Sequence, residues 1–165
     1  MTRPRAHYKS KTFATWIAIA GGSLGLHRFY LNGLRDPWGW LHPLPALLGC
    51  YGIARARQLG QDDHWSWLLI PLLGLVLSCA MLTAIVYALT PDEKWNARYN
   101  PVGRASRSGW AAVIGAALAL LLGGGVLMAT IAFSGQRFFE YQLEQGRATG
   151  SHAGWTGTVR RTSAS

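Results

Sequence analysis

Four apolar stretches alternate with polar connections along the chain: Thr12 to Leu26, Trp38 to Ala54, Trp65 to Leu89 and Trp110 to Phe133. The last two each exceed the roughly 20 residues that a helix needs to cross a hydrocarbon core. Neither contains a charged residue. The pattern predicts an all-α chain, an integral membrane helical bundle of four transmembrane helices. Residues 1–11 form a basic lead, and residues 12–57 form a helical hairpin. Residues 58–135 hold the third and fourth spans around a polar, interfacial connection at 90–108. Residues 136–165 form a polar extension, expected to be largely disordered.

Local signals mark where the helices begin and break. Ser10 or Thr12 can cap the first helix. Ala14, Ala18 and Gly22 recur at four-residue spacing, as do Gly21 and Gly25, which lets a second helix approach closely. Asn32-Gly33 is a turn signal, Asp36 can cap the next helix, and Pro37 suits its first position. Pro43 and Pro45 each remove a backbone donor, so this helix is expected as two unequal halves. From Pro37 to Arg57 it reaches about 31 Å, enough to span. His42, beside the kink, is expected to bond a freed carbonyl. Asp62 or Asp63 can cap the third helix, where its charge suits the positive end. Pro71 is expected to bend that helix.

Thr90-Pro91-Asp92-Glu93 has the spacing of a capping box, which predicts a short helix from Pro91 to about Tyr99. Trp95 and Tyr99 share a face and predict that this helix lies on the membrane surface. Asp92, Glu93 and Arg98 read as a solvated face. In the fourth helix Ala111, Gly115, Ala119 and Gly123 form another small-residue ladder, with Gly115 and Ala119 as candidate interface positions. Gly123-Gly124-Gly125 weakens helix propensity, but unpaired backbone in lipid is worse, so the helix is expected to persist.

Composition supports a membrane reading. Half of the 165 residues are hydrophobic and 14% are charged, against about a quarter charged in soluble domains. The net charge of +9 does not point to nucleic acid, because the basic residues lie between the apolar stretches as topology and headgroup signals. Anionic lipid headgroups are the natural counterions. Six tryptophans sit at or near stretch ends, where amphipathic rings prefer the interface. Counting Lys and Arg weakly favours both termini in the cytoplasm, with ten on that side against six. A plasma or bacterial-type inner membrane is the expected location. Ala18-Ile19-Ala20 resembles a signal-peptide cleavage site, but apolar sequence runs on past it, so the segment reads as a retained helix. Cys50 and Cys79 read as small packing residues.

The segment Gly21 to Gly33 is the most informative one. His27-Arg28-Phe29-Tyr30 interrupts an apolar context, and charge there needs a reason. Arg28 can reach lipid phosphates, pair with Asp36 or bond carbonyls exposed at a helix end. His27 can help cap that end, and Phe29 and Tyr30 can seat the turn in the interface.

Lys9-Ser10-Lys11, the glycine-rich helix end, His27-Arg28-Phe29-Tyr30-Leu31 and Gly33 resemble the TM-2 domain family over residues 9 to 57. That resemblance implies two transmembrane helices joined by a short connection, and membrane placement more than an activity. Members often close the second helix with Trp and an Asp. Here that region reads Gly52-Ile53-Ala54-Arg55-Ala56-Arg57, which leaves Asp36 as the nearest acidic candidate for Arg28.

No nucleophile motif, phosphate loop or metal-ligand spacing is present, and no catalytic, cofactor-binding or metal residue is expected. The seven acidic residues avoid the apolar stretches, which argues against a proton relay or an ion pump. The expectation is a non-enzymatic membrane protein that packs with itself or a membrane partner. The alternatives are a small transporter or channel subunit and a membrane-bound lipid-modifying enzyme.

Overall fold

The computed structural model describes residues 8–60 and 63–162. These are helical, without a strand. In chain order they are α1 (Lys11–Gly21), a 3-10 turn (Gly22–Leu24), α2 (Leu26–Asn32), α3 (Pro37–Leu41), α4 (Pro43–Leu59), α5 (His64–Leu89), α6 (Asp92–Tyr99) and α7 (Trp110–Thr162). Two compact units divide at Thr130 and Ile131, so the 12–57 hairpin is part of a larger unit that includes α5, α6 and the first half of α7.

Three expected helix caps form. Ser10 Oγ accepts from the Phe13 amide, Asp36 Oδ1 from Trp38 and Asp63 Oδ2 from Ser66. Asp62 lies outside the described residues. The second apolar stretch is indeed two unequal helices, α3 and α4, meeting at His42. The His42 ring donates from Nδ1 to the Trp38 carbonyl at 2.8 Å.

The first apolar stretch departs from expectation. A continuous helix to Leu26 was predicted, but α1 ends at Gly21 and Gly25 takes φ +75°. Only glycine adopts that left-handed backbone readily, and a Cβ at Gly25 would also lie 2.6 Å from the Gly39 carbonyl oxygen. The chain therefore turns back within the apolar stretch, and α2 returns alongside α1. The last residues of α2 reach the first of α1. The Ser10 amide donates to the Tyr30 hydroxyl at 2.9 Å, and Lys9 Nζ donates to the Leu31 carbonyl.

The capping box at Thr90 does not form. Its hydroxyl instead donates to the Val86 carbonyl in the last turn of α5, and Pro91 precedes α6 without a side-chain cap. Trp95 is 2% exposed and packs with Ala14 and Leu31, so this face of α6 is inside the protein rather than on a membrane surface.

Packing in the first unit centres on α5. A cluster of Ala18, Met81, Ala84 and Ala119 joins α1, α5 and α7 through small side chains. A Cβ at Gly123 would stand 2.6 Å from that of Met81, and one at Gly115 3.0 Å from Thr15 Cγ2. The α7 ladder is thus used within the chain, and Gly115 and Ala119 are buried there rather than offered to a partner. On its other side α5 meets α4, where Ala46, Gly49 and Gly52 are the buried positions of α4.

The α5 helix and the Trp110–Arg147 part of α7 are long and apolar enough to cross a membrane. The glycine triplet at 123–125 remains helical. In the second unit α7 continues as helix to Thr162. No proline interrupts it, and Gln136 and Arg137 both bond the Glu140 carboxylate one turn on.

Candidate functional site

The sequence-predicted core lies on α2 and the turns that flank it. Arg28 Nε donates to Asp36 Oδ2 at 2.9 Å, the carboxylate pairing among the three options for Arg28. Asn32 Nδ2 donates to the same oxygen at 2.8 Å. The Asn32 amide and the Arg28 guanidinium together hold the Asp36 carboxyl below its usual range. Phe29 lies against Gly39, where a Cβ would come within 2.5 Å of the ring, and stacks edge-on with Trp40 at 5.3 Å. Tyr30 stacks edge-on with Phe13 at 5.2 Å. Gly21 leaves room for Leu26, which would otherwise sit 2.3 Å from a Cβ. These aromatics and glycines close the hairpin on itself.

His27 does not cap a helix end. It is 4% exposed, its ring meets those of His42 and Tyr87 at 5.6 and 5.9 Å, and Nδ1 has no hydrogen-bond partner. Leaving a buried polar atom unpaired costs about 1–3 kcal/mol.

A second polar cluster sits where the lead meets α6, and local sequence patterns do not reveal it. Lys11 is 2% exposed, and its Nζ donates to Asp92 Oδ1 at 2.8 Å and to the Thr90 carbonyl at 2.7 Å. Its backbone amide donates to Ser106 Oγ at 3.1 Å. Asp92 also accepts from the Ser108 amide and hydroxyl. It is therefore not part of a solvated face. The Lys11 ammonium first, and then Ser108, lower its carboxyl to about 2. Next to this pair the Lys9 carbonyl accepts from Trp95 Nε1 and Asn100 Nδ2, both at 3.0 Å, and the Lys9 amide donates to Asn100 Oδ1. Asn96 ties the following loop by accepting from the Ser106 amide and donating to its carbonyl.

The Lys-Ser-Lys lead is therefore a strap. Lys9, Ser10 and Lys11 hold α2, α6 and the 100–108 loop at one end of α1. The only signal for it in the sequence is the pairing of a basic lead with a distant acidic residue, 81 positions apart. At the other end of α4, Arg55 makes a two-pronged pair with Asp63 at 2.8 and 2.9 Å. That guanidinium, with Ser66, holds the Asp63 carboxyl well below its usual range.

Chemically, these groups bind and position backbone. Among the described residues no group of three or more His, Cys, Asp or Glu side chains is placed to hold a metal ion. Comparison of the chain with protein-family models, with curated proteins and with solved structures finds no match.

Proposed function

We propose that this chain is a small multi-pass integral membrane protein of the TM-2 domain type. It is non-enzymatic and acts by packing with itself or with a membrane partner. One observation carries the reading. In the most apolar stretches of α5 and of α7 only 17% is buried inside the chain. Leu68, Leu75, Leu82, Leu120 and Leu121 are among the apolar side chains left uncovered. Such faces are stable only against lipid or other helices, because exposing them to water would forfeit their burial. A plasma or inner membrane, with anionic headgroups near the basic connections, is the matching environment.

The membrane crossings follow from the strap. The N-terminal lead touches both the 90–108 connection and the end of α2. The lead and both of these connections therefore share one membrane face. The α1–α2 hairpin enters and leaves on that face, α3–α4 crosses, α5 returns and α7 crosses last. This reading has three crossings, where the sequence suggested four. With Cys50 and Cys79 changed to Ala, single cysteines at Tyr8, Leu59 and Arg104 test this with a membrane-impermeant maleimide. Positions 8 and 104 are expected to label from the same side, and position 59 from the other. Labelling of 8 and 104 from opposite sides would restore the four-crossing arrangement.

Association must use positions that the fold leaves uncovered. A Cβ at Gly124 would meet nothing within 4 Å, unlike one at the adjacent Gly123. Gly124→Leu is expected to reduce crosslinked species in native membranes by about half or more while thermal stability is retained. Unchanged crosslinking, or crosslinked species absent from the wild type as well, would count against packing through this face.

A further inference from the structure

The strap end of the first unit carries more cations than its carboxylates can hold. Asp36 takes Arg28, and Asp92 takes Lys11. Lys9, Arg35, Lys94, Arg98, Arg104 and Arg107 belong to the same three segments and make no ion pair among the described residues. Glu93 is the one further acidic residue there. The α4–α5 connection is different. Its Arg55 and Arg57 are matched by Asp62 and Asp63 in the sequence, and Arg55 is held by Asp63.

Three of the unmatched cations are brought together. Lys9 Nζ and the Arg98 guanidinium both lie by the Tyr99 ring, 5.9 and 5.5 Å from its centre. The Arg104 guanidinium is 5.6 Å from the ring of Tyr8, the residue before Lys9. Lys9 Nζ also donates to the Leu31 carbonyl, which fixes the ammonium but leaves its charge uncompensated. Like charges gathered this way repel, and an aromatic face returns only about 0.5–1 kcal/mol at an exposed site. Arg98 and Arg104 are exposed, so the cluster is open to an anion.

The neighbouring helices indicate which anion. The 90–108 segment joins α5 to α7, the two helices long and apolar enough to cross a membrane. Leu89 just before it is 67% exposed, and Trp110 just after it is 83% exposed. Uncovered apolar side chains on both flanks set these cations at headgroup depth, where phosphate oxygens are the abundant acceptors. A guanidinium can take a phosphate with two parallel hydrogen bonds.

We propose that the surface formed by Lys9, Arg98 and Arg104 docks on the phosphates of anionic lipids in the cytoplasmic leaflet. That leaflet carries the anionic lipid, and cationic connections are retained on its side. The charge-balanced α4–α5 connection then faces the opposite side. The proposal rests on the membrane reading and adds to it a docking surface and an orientation.

The full-length protein, in phosphatidylcholine vesicles with a minor share of phosphatidylglycerol, is photolabelled with either lipid carrying the same diazirine beside the glycerol. Mass spectrometry locates the labelled peptides. At equal probe amounts phosphatidylglycerol is expected to label the 8–11 and 90–108 peptides at least about fivefold more than phosphatidylcholine, which is the effect of one cation near an anionic surface. Arg98→Gln combined with Arg104→Gln should reduce that labelling to the phosphatidylcholine level at an unchanged melting temperature, because neither side chain has a carboxylate partner. Arg57→Gln, at an exposed cation of the α4–α5 connection, is the control and should keep the preference. If the double variant does not fold, wild type at about 1 M salt decides, since a screening length of about 3 Å should remove the preference. In intact cells expressing the single-cysteine proteins, the impermeant maleimide should reach position 59 and should reach 8 and 104 only after lysis.

Equal labelling by the two lipids, a preference that survives the double substitution or high salt, or labelling of 8 and 104 from outside intact cells would overturn the proposal. Retention of an oligonucleotide by wild-type vesicles, lost in the double variant and without any lipid preference, would assign the surface to nucleic acid instead. Vesicle flotation of the same samples reports membrane insertion separately. A protein that floats without a lipid preference refutes the docking alone, and one that does not float refutes the membrane reading.

Discussion

Asp92→Ala is expected to detach the N-terminal hairpin from α6. Lys11 is 2% exposed, and without Asp92 its ammonium keeps only the Thr90 carbonyl. Removing one partner of a buried pair leaves an uncompensated charge, at about 3–5 kcal/mol when both groups are fully buried. The Asp92 side chain is 35% exposed, so water can enter and the expected loss is about 2–3 kcal/mol. Asp92→Asn keeps an acceptor for Lys11 and for Ser108, and should fall between wild type and alanine. Lys11→Met removes the buried charge itself and should cost less than Asp92→Ala. Thermal unfolding in detergent gives the order, and hydrogen exchange at the Lys9 and Lys11 amides shows whether the strap has opened. Equal stability of Asp92→Ala and wild type would show that the pair does not hold the hairpin.

The same contact has a pH signature. The folded-state carboxyl sits at about 2, below its ordinary value. A carboxylate with a depressed value stabilises the fold fully above its unfolded value near 4, and that contribution disappears as the pH falls through about 2. The protection factors of the strap amides, each referred to the intrinsic exchange rate at the same pH, should therefore hold at pH 5 and fall progressively below about pH 4. In Asp92→Ala that acid-dependent component should be missing.

Features that depend on a few neighbouring residues were legible in the sequence. Ser10, Asp36 and Asp63 cap helices because an oxygen two or three residues away is a local matter, and Pro43 with Pro45 divides the second stretch for an equally local reason. The return at Gly21–Gly25 was not legible. The apolar run from Thr12 to Leu26 is uninterrupted, and glycines at close spacing signal tight helix packing as readily as a reversal. What distinguishes the two is Gly25 at φ +75° against Gly39, a contact made with a helix that begins 12 residues later.

The candidate residues divide along the same line. Arg28 and Asp36 are eight positions apart and were paired as candidates from proximity alone. Lys11 and Asp92 are 81 apart, and Asp92 lay beside Glu93 in a segment whose polarity fits solvent equally well. The ladder spacing put Gly115 and Ala119 on one face of the helix, and both pack within the chain. Their partner was unknowable without the fold, which sets them on α1 and α5 rather than on a second molecule.

Gly49→Ala should separate α4 from α5, and Gly49→Leu should abolish their docking. A Cβ at position 49 would lie 2.4 Å from the Leu73 Cβ, 2.8 Å from its amide nitrogen and 2.9 Å from its Cα. Carbon atoms rest at about 3.5–4.0 Å, so the two helices would have to move apart. Gly52 repeats the constraint one turn later, where a Cβ would lie 2.5 Å from that of Leu69. Overpacking costs typically about 1–3 kcal/mol, and more when backbone must shift. Alanine regains up to about 1 kcal/mol in helix propensity, so Gly49→Ala should lose about 1–2 kcal/mol net. Leu48→Ala, at a neighbouring exposed position, is the control and should change stability little. Thermal unfolding in detergent measures all three variants. A second substitution separates backbone contact from side-chain crowding. Leu73→Ala keeps the Cβ, amide nitrogen and Cα that obstruct position 49, so it should not rescue Gly49→Ala. Rescue would mean that the Leu73 side chain beyond Cβ, rather than the approach of the two backbones, sets the requirement for glycine.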